Sequence, residues 1–284
     1  MNRRILILGS GGQIGAYLTD YLNKIGYEVL EFDIVNGLHH DMTEIPNPEL
    51  HRKIMLSHFV FFLAFDVGGS HYLKKYQHTF KFIDNNARMM ANVFGLLEKY
   101  DKPFVFASSQ MSNMSYSPYG VMKRVGELYT KALGGLIVKF WNVYGIENDM
   151  EKAHVITDFI RKGFETGVID MMTDGTESRE FLYAEDCCEG LESVMGNYDR
   201  LTSDDELHIT TGNSTTILEI AESIQKLFSN IGKEVVIKPA ESKDEVQKDA
   251  KNVSDPYIQK FWRSTTSVKE GLTKVFYEMK KNYE

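Results

Sequence analysis

Up to about residue 145, short apolar runs alternate with stretches in which apolar residues recur every three or four positions. The run at 4–8 reads as a buried strand, and Ile14, Tyr17, Leu18, Tyr21, Leu22 and Ile25 then keep the spacing of one helix face. Further strands are expected at 27–32, 59–64, 104–107 and 136–140. Helical spacing fills 71–84 and 86–100, and returns in Val125, Leu128, Tyr129, Ala132 and Leu133. Strands alternating with helices of these lengths predict an α/β fold with a doubly wound parallel sheet of the Rossmann type. After residue 145 the alternation weakens: helices are expected up to about 166 and at 184–196, 216–228 and 268–280, with strands at 180–183, 207–211 and 235–238. The polar, lysine-rich run 241–251 reads as a loop. The organisation expected is a Rossmann domain over 1–145 to which 180–211 returns, and a smaller C-terminal α/β substrate domain from 146–179 and 212–284.

Ligands of such sheets bind beyond the carboxyl ends of the strands, and candidate chemistry gathers there. The first strand runs into Gly9-Ser10-Gly11-Gly12-Gln13-Ile14-Gly15, with glycines at every third position from Gly9. Glycines let the backbone approach a pyrophosphate, and the helix N-terminus that follows offers free N–H groups and partial positive charge. Asp33 closes the second strand, where a carboxylate can accept hydrogen bonds from both adenosine ribose hydroxyls and would repel a 2′-phosphate. NAD is therefore expected rather than NADP. Asp41 and Met42 stand where an acid and an apolar residue could flank the adenine, and Ala64, Ser108 and Ser109 lie at further strand ends.

Tyr119 and Lys123 are four residues apart in a helical segment, so they share a face one turn apart. A neighbouring ammonium favours the phenolate and is expected to lower the tyrosine pKa, making it a base. Ser109 can hold the hydroxyl that Tyr119 deprotonates.

Composition narrows the partners. The chain has 284 residues, 43% apolar and 25% charged, with a formal net charge of −8, which argues against nucleic acid or an anionic membrane as the main partner. No apolar run reaches the roughly 18 residues of a membrane span, and the run after Met1-Asn2-Arg3-Arg4 is too short for a signal peptide. Cys187 and Cys188 are adjacent and cannot build a disulfide framework, and His39, His40 and Asp41 lack a fourth partner for a metal. A cytoplasmic protein without a structural metal is expected.

Together the glycine pattern, Asp33, Ser109, Tyr119 and Lys123 resemble the extended short-chain dehydrogenase/reductases, more narrowly the NAD-dependent nucleotide-sugar epimerases and dehydratases. Further motifs extend the resemblance nearly end to end: Asn86 with Asn92-Val93-Phe94-Gly95, then Asn142-Val143-Tyr144-Gly145, and Thr173-Asp174-Gly175 leading to Arg179. The resemblance implies NAD held by Gly9, Gly12, Gln13, Ile14, Gly15, Asp33, Asp41, Met42, Ala64, Asn86, Ser108, Tyr119 and Lys123. It implies Ser109, Tyr119 and Lys123 as the catalytic triplet, Asn142 and Arg179 on a sugar-nucleotide diphosphate, and Asn86 bracing the active-site backbone. Gly68 belongs to a stretch, with Asp66, Val67 and Gly69, similar to GDP-mannose 3,5-epimerases, and His154 to one similar to GDP-fucose synthases. Helices 71–99 and 118–133 resemble those that pair relatives into homodimers.

Departures from the family pattern bear on the reaction. Gln110 and Met111 stand where dehydratases carry Asp and Glu, and where 3,5-epimerases carry a cysteine, so no acid/base pair is evident beside Ser109. The expectation is a nucleotide-sugar epimerase acting at C4 through a transient 4-keto sugar. The alternatives are a 4-reductase or dehydrogenase, a 3,5-epimerase using His154 or Lys152, or a non-catalytic NAD-binding regulator.

Overall fold

The computed structural model describes residues 3–247 and 253–284. Residues 248–251 of the expected lysine-rich loop, and Met1 and Asn2, lie outside them. The chain runs β1 (Arg4–Leu8), α1 (Gln13–Lys24), β2 (Glu28–Phe32), α2 (Pro48–Leu56), β3 (Phe59–Phe62), α3 (Ser70–Tyr76), α4 (Phe80–Tyr100), β4 (Phe104–Ser109), α5 (Pro118–Leu133) and β5 (Leu136–Phe140). It continues through β6 (Asn142–Tyr144), α6 (Val155–Thr166), β7 (Val168–Asp170), β8 (Ser178–Tyr183), α7 (Ala184–Gly196), β9 (Leu207–Ile209), β10 (Ser214–Thr216), α8 (Ile217–Asn230), β11 (Val236–Lys238) and α9 (Val268–Lys280).

Six strands form a parallel sheet in the order β2-β1-β3-β4-β5-β9. Its inner strands β1, β3 and β4 are buried on both faces, and successive residues serve opposite cores. Ile5, Ile7, Phe59 and Phe61 meet Leu18 and Leu22 of α1 and Leu191 and Val194 of α7. Leu6, Leu8, Val60 and Phe62 meet Leu50 and Ile54 of α2 and Val93 and Phe94 of α4. The winding direction changes between β1 and β3, and the crevice at that switch point is the place such sheets bind ligands.

A second core lies beside the first. β8 pairs with β6 in parallel and with β10 antiparallel, and β7 pairs with β11. Helices α6, α8 and α9 pack together there through Ile160, Ile224, Phe228 and Phe276, all fully buried. Residues 184–196 and 207–209 lie on or in the large sheet, whereas 155–170 and 214–238 build the second core.

Two local readings need correction. The break expected between 84 and 86 is absent: α4 is continuous from Phe80, and the break falls at 77–79, where the Thr79 hydroxyl caps α4 by accepting from Phe82 N. Helix α2 was not anticipated, although Asn47-Pro48 is a start signal, the Asn47 side chain accepting from Leu50 N and Pro48 taking the first turn.

Candidate active site

The glycine turn is forced by space. Gly9 has φ +93°, and a Cβ there would sit 2.7 Å from Ala64 N. A Cβ on Gly15 would sit 2.0 Å from Gly9 O, so only glycine lets α1 begin against the end of β1. No side chain caps the α1 N-terminus and its first turn has no acid, leaving its N–H groups to a ligand. Asp33 lies beside this turn, its carboxylate accepting from Gly11 N at 3.0 Å and Val35 N at 3.1 Å. Asp41 accepts from Thr43, and Met42 is buried with its carbonyl taking a hydrogen bond from Asn92. A dinucleotide fits this set: open helix N–H groups for the pyrophosphate and a carboxylate at the β2 end for a ribose.

Asn86 is fully buried and accepts from Asp66 N while donating to Asp66 O and Phe82 O, bracing the backbone just beyond Ala64. Ser108 points elsewhere. Its hydroxyl donates to the buried Glu127 carboxylate, 2.6 Å away, so any part it has in holding a cofactor is through its backbone.

Helix α5 starts at Ser117, whose hydroxyl accepts from Gly120 N, followed by Pro118 in the first turn. Tyr119 and Lys123 both project inward and are 8% and 3% exposed. Burial pushes the Tyr119 phenol up to about 12, a hydrogen bond with Ser109 opposing the rise. Burial brings Lys123 down to about 7, the charge of Glu127 opposing. The lysine was expected to lower the tyrosine pKa, and here it does not, because removal from water penalises both charges. Lys123 Nζ instead donates to Ala107 O at 2.6 Å and sits 3.8 Å from the centroid of the Phe65 ring. Phe65 also packs edge-on against Tyr119, an involvement that sequence reading missed.

These groups open on a cleft of about 210 Å³ between the large sheet and the second core. Gly68, Ser109, Tyr119, Asn142, His154 and Arg179 all line it, whereas Lys123 lies behind Tyr119, buried on Ala107 O and the Phe65 ring. Asn142 Nδ2 and Trp141 Nε1 are buried there without a hydrogen-bond partner, a state that a polar ligand would relieve. Arg179, 8% exposed, is held by the Asp244 carboxylate and donates to Ser178 O.

His154 has a partner that the sequence did not reveal. Its Nδ1 lies 2.6 Å from Glu147 Oε1, and its backbone N–H donates to Glu147 Oε2 at 2.8 Å. Desolvation disfavours the charged imidazole, but the charge and hydrogen bond of Glu147 outweigh it and raise the pKa. Glu147 is correspondingly held below the usual carboxylate range despite burial.

Residues 5–210 match the model of the NAD dependent epimerase/dehydratase family, over more than half of the chain. The chain belongs to that family. Its cofactor is accordingly NAD, and the fold of the large sheet is the family's. UDP-glucuronic acid decarboxylase 1 of Danio rerio is 23% identical over 96% of this chain and 71% of its own length. GDP-L-fucose synthase of Sinorhizobium fredii is 24% identical over 96% of this chain and 94% of its own. Among solved structures, UDP-glucose 4-epimerase of Thermotoga maritima superposes with a TM-score of 0.79 at 21% identity, covering 99% of this chain and 100% of that one. These relatives catalyse different reactions on a shared frame, so the reaction here must be argued from the site.

Proposed function

We propose that this enzyme inverts C4 of a nucleotide-diphosphate sugar. The observation that carries the reading is one cleft lined by Ser109 and Tyr119 together with Asn142 and Arg179, while Gln110 and Met111 supply no acid or base beside them. Tyr119 takes the proton of the C4 hydroxyl, which Ser109 holds. Lys123 Nζ lies 5.9 Å from the centroid of the Tyr119 ring, and when protonated it favours the phenolate. Bound NAD supplies the hydride acceptor and donor. Asn142 and the fork-shaped Arg179 tether the diphosphate, so that the neutral 4-keto sugar stays bound while it turns and presents its other face. Nothing at 110 or 111 can eliminate water, which disfavours 4,6-dehydration. The nucleotide is recognised along the second core, and the exposed apolar faces of α4 and α5 support a homodimer.

Mass spectrometry of a panel of nucleotide sugars, incubated with the purified protein and no added cofactor, tests this. A product of unchanged mass that separates from the substrate chromatographically is expected. Loss of water, carbon dioxide or two hydrogens would reject the epimerase reading.

The Glu147–His154 pair favours one second reading, a 3,5-epimerase, because a histidine oriented by a carboxylate can exchange a proton next to a ketone. Turnover in deuterium oxide separates the two. Deuterium at C3 or C5 that is lost in His154→Asn means the dyad is catalytic, and no deuterium with inversion at C4 leaves the first reading standing.

A further inference from the structure

Residues 242–247, read from sequence as part of a loop, are one, and it runs along the cleft. Successive side chains fasten to opposite walls. Ser242 Oγ donates to Met172 O at 2.6 Å, and Lys243 pairs with Asp174. Asp244 takes the Arg179 guanidinium with one oxygen, while its other oxygen accepts from Val246 N and Gln247 N. Glu245 reaches Lys74 of α3 at 3.2 Å, and Gln247 accepts from Gln110 at 2.9 Å. Val246, 6% exposed, seats among Leu73, Met111 and Tyr119. An anionic group thus already occupies the cleft's fork-shaped cation, while the neighbouring Asn142 amide remains unpartnered. A carboxylate on a guanidinium reproduces the charge and the geometry of a phosphate there. The arrangement resembles a half-filled anion site.

We infer that residues 242–247 form a strap whose Asp244 stands in for the substrate diphosphate on Arg179 and gives way to it. This rests on the reading of Arg179 as a diphosphate donor. Asp244 takes Nη2 of the Arg179 fork and Ser178 O takes Nη1, so a diphosphate that seats on the fork must displace Asp244. When Asp244 leaves, Val246 loses its neighbour's anchor and comes off Tyr119. Access to the catalytic tyrosine is then coupled to the diphosphate, and a free sugar, lacking that group, does not open the strap.

Calorimetric titration of the NAD-loaded protein with UDP, GDP, dTDP and CDP, and with the matching nucleosides, tests the strap. Asp244→Asn is expected to bind the diphosphate it prefers about tenfold more tightly than the unsubstituted protein, with nucleoside binding unchanged, because the competitor has lost its charge. Val246→Ser leaves the Arg179 pair intact but loosens the strap's apolar seat, and a smaller gain in the same direction is expected. Equal or weaker diphosphate binding by both variants would overturn the proposal, since Asp244 would then only orient Arg179. If no diphosphate binds to any form that retains NAD, the assignment of Arg179 falls as well.

Discussion

Lys123 is costly to bury. Its ammonium is buried under the Phe65 ring, and its pKa falls from 10.5 in the unfolded chain to about 7 in the fold. Between those values the unfolded state binds the additional proton, so the stability contributed by this group rises with pH. Below about 7 both states are protonated and the fold carries the whole cost, roughly 3–5 kcal/mol from the size of the shift. Lys123→Met is therefore expected to raise the melting temperature, most at pH 6 and least near pH 10, and to abolish turnover. A gain that is the same at every pH would mean that packing, not the ammonium, is responsible. Tyr119 is penalised in the same direction, its phenol pushed up to about 12, so the structure holds it as a proton donor until positive charge arrives nearby. Tyr119→Phe keeps the ring packed on Phe65 and removes only the hydroxyl. It is expected to lower the rate by about 10²–10⁴ while bound NAD, read from its absorbance after denaturation, is retained. Undiminished turnover would remove Tyr119 from the mechanism.

At the scale of elements, the turn from β1 into α1 shows what sequence can and cannot convey. Gly15→Ala puts a methyl into a helix, where alanine is favoured by about 1 kcal/mol over glycine. Its Cβ would, however, meet Gly9 O at 2.0 Å, and no flexible side chain is there to yield. The clash is expected to win: the variant should melt at a lower temperature and be purified without NAD. A stabilised variant that keeps NAD would show that the turn can relax. The turn is legible in sequence because strand, glycines and helix are contiguous, and Ser109, Tyr119 and Lys123 are legible because strand end and helix face follow from local spacing. The second core was less so. Strands β7 and β10 have three residues each, too few for a period, and pair with partners distant in the chain. Glu147 escaped because an acid seven residues before a histidine has no regular spacing to reveal the contact. Asp244 escaped for a stronger reason, being 65 residues from Arg179 in a stretch whose composition is that of a solvated loop. Only tertiary packing brings it into the cleft.

For the molecule as a whole, the face opposite the sheet on α4 and α5 remains to be accounted for. Phe80 and Ile83 on α4, with Val121 and Leu128 on α5, are exposed, Phe80 by 80% and Leu128 by 55%. Ala87 and Ala91 continue the same side of α4 and are exposed too. Spacings of three and four place the α4 set along one helix face, Val121 and Leu128 stand two turns apart on α5, and the small Ala87 and Ala91 let a second helix pair approach closely. Single exposed apolar residues are ordinary on a protein surface, but two adjoining groups are costly to leave in water and fit the homodimer proposed above. These residues lie on the helix that carries Tyr119 and on the one that carries Asn86, so pairing two copies there would stiffen the elements that hold Tyr119 and brace its neighbouring loop. Replacing Val121 and Leu128 together by Glu adds two charges to that face without touching the buried side of α5. Sedimentation is expected to report dimers for the unsubstituted protein and monomers for the variant, with the melting temperature lowered as the partner's contribution is lost. An unsubstituted protein that sediments as a monomer would dismiss the pairing, and a variant that stays dimeric would move the interface to another face.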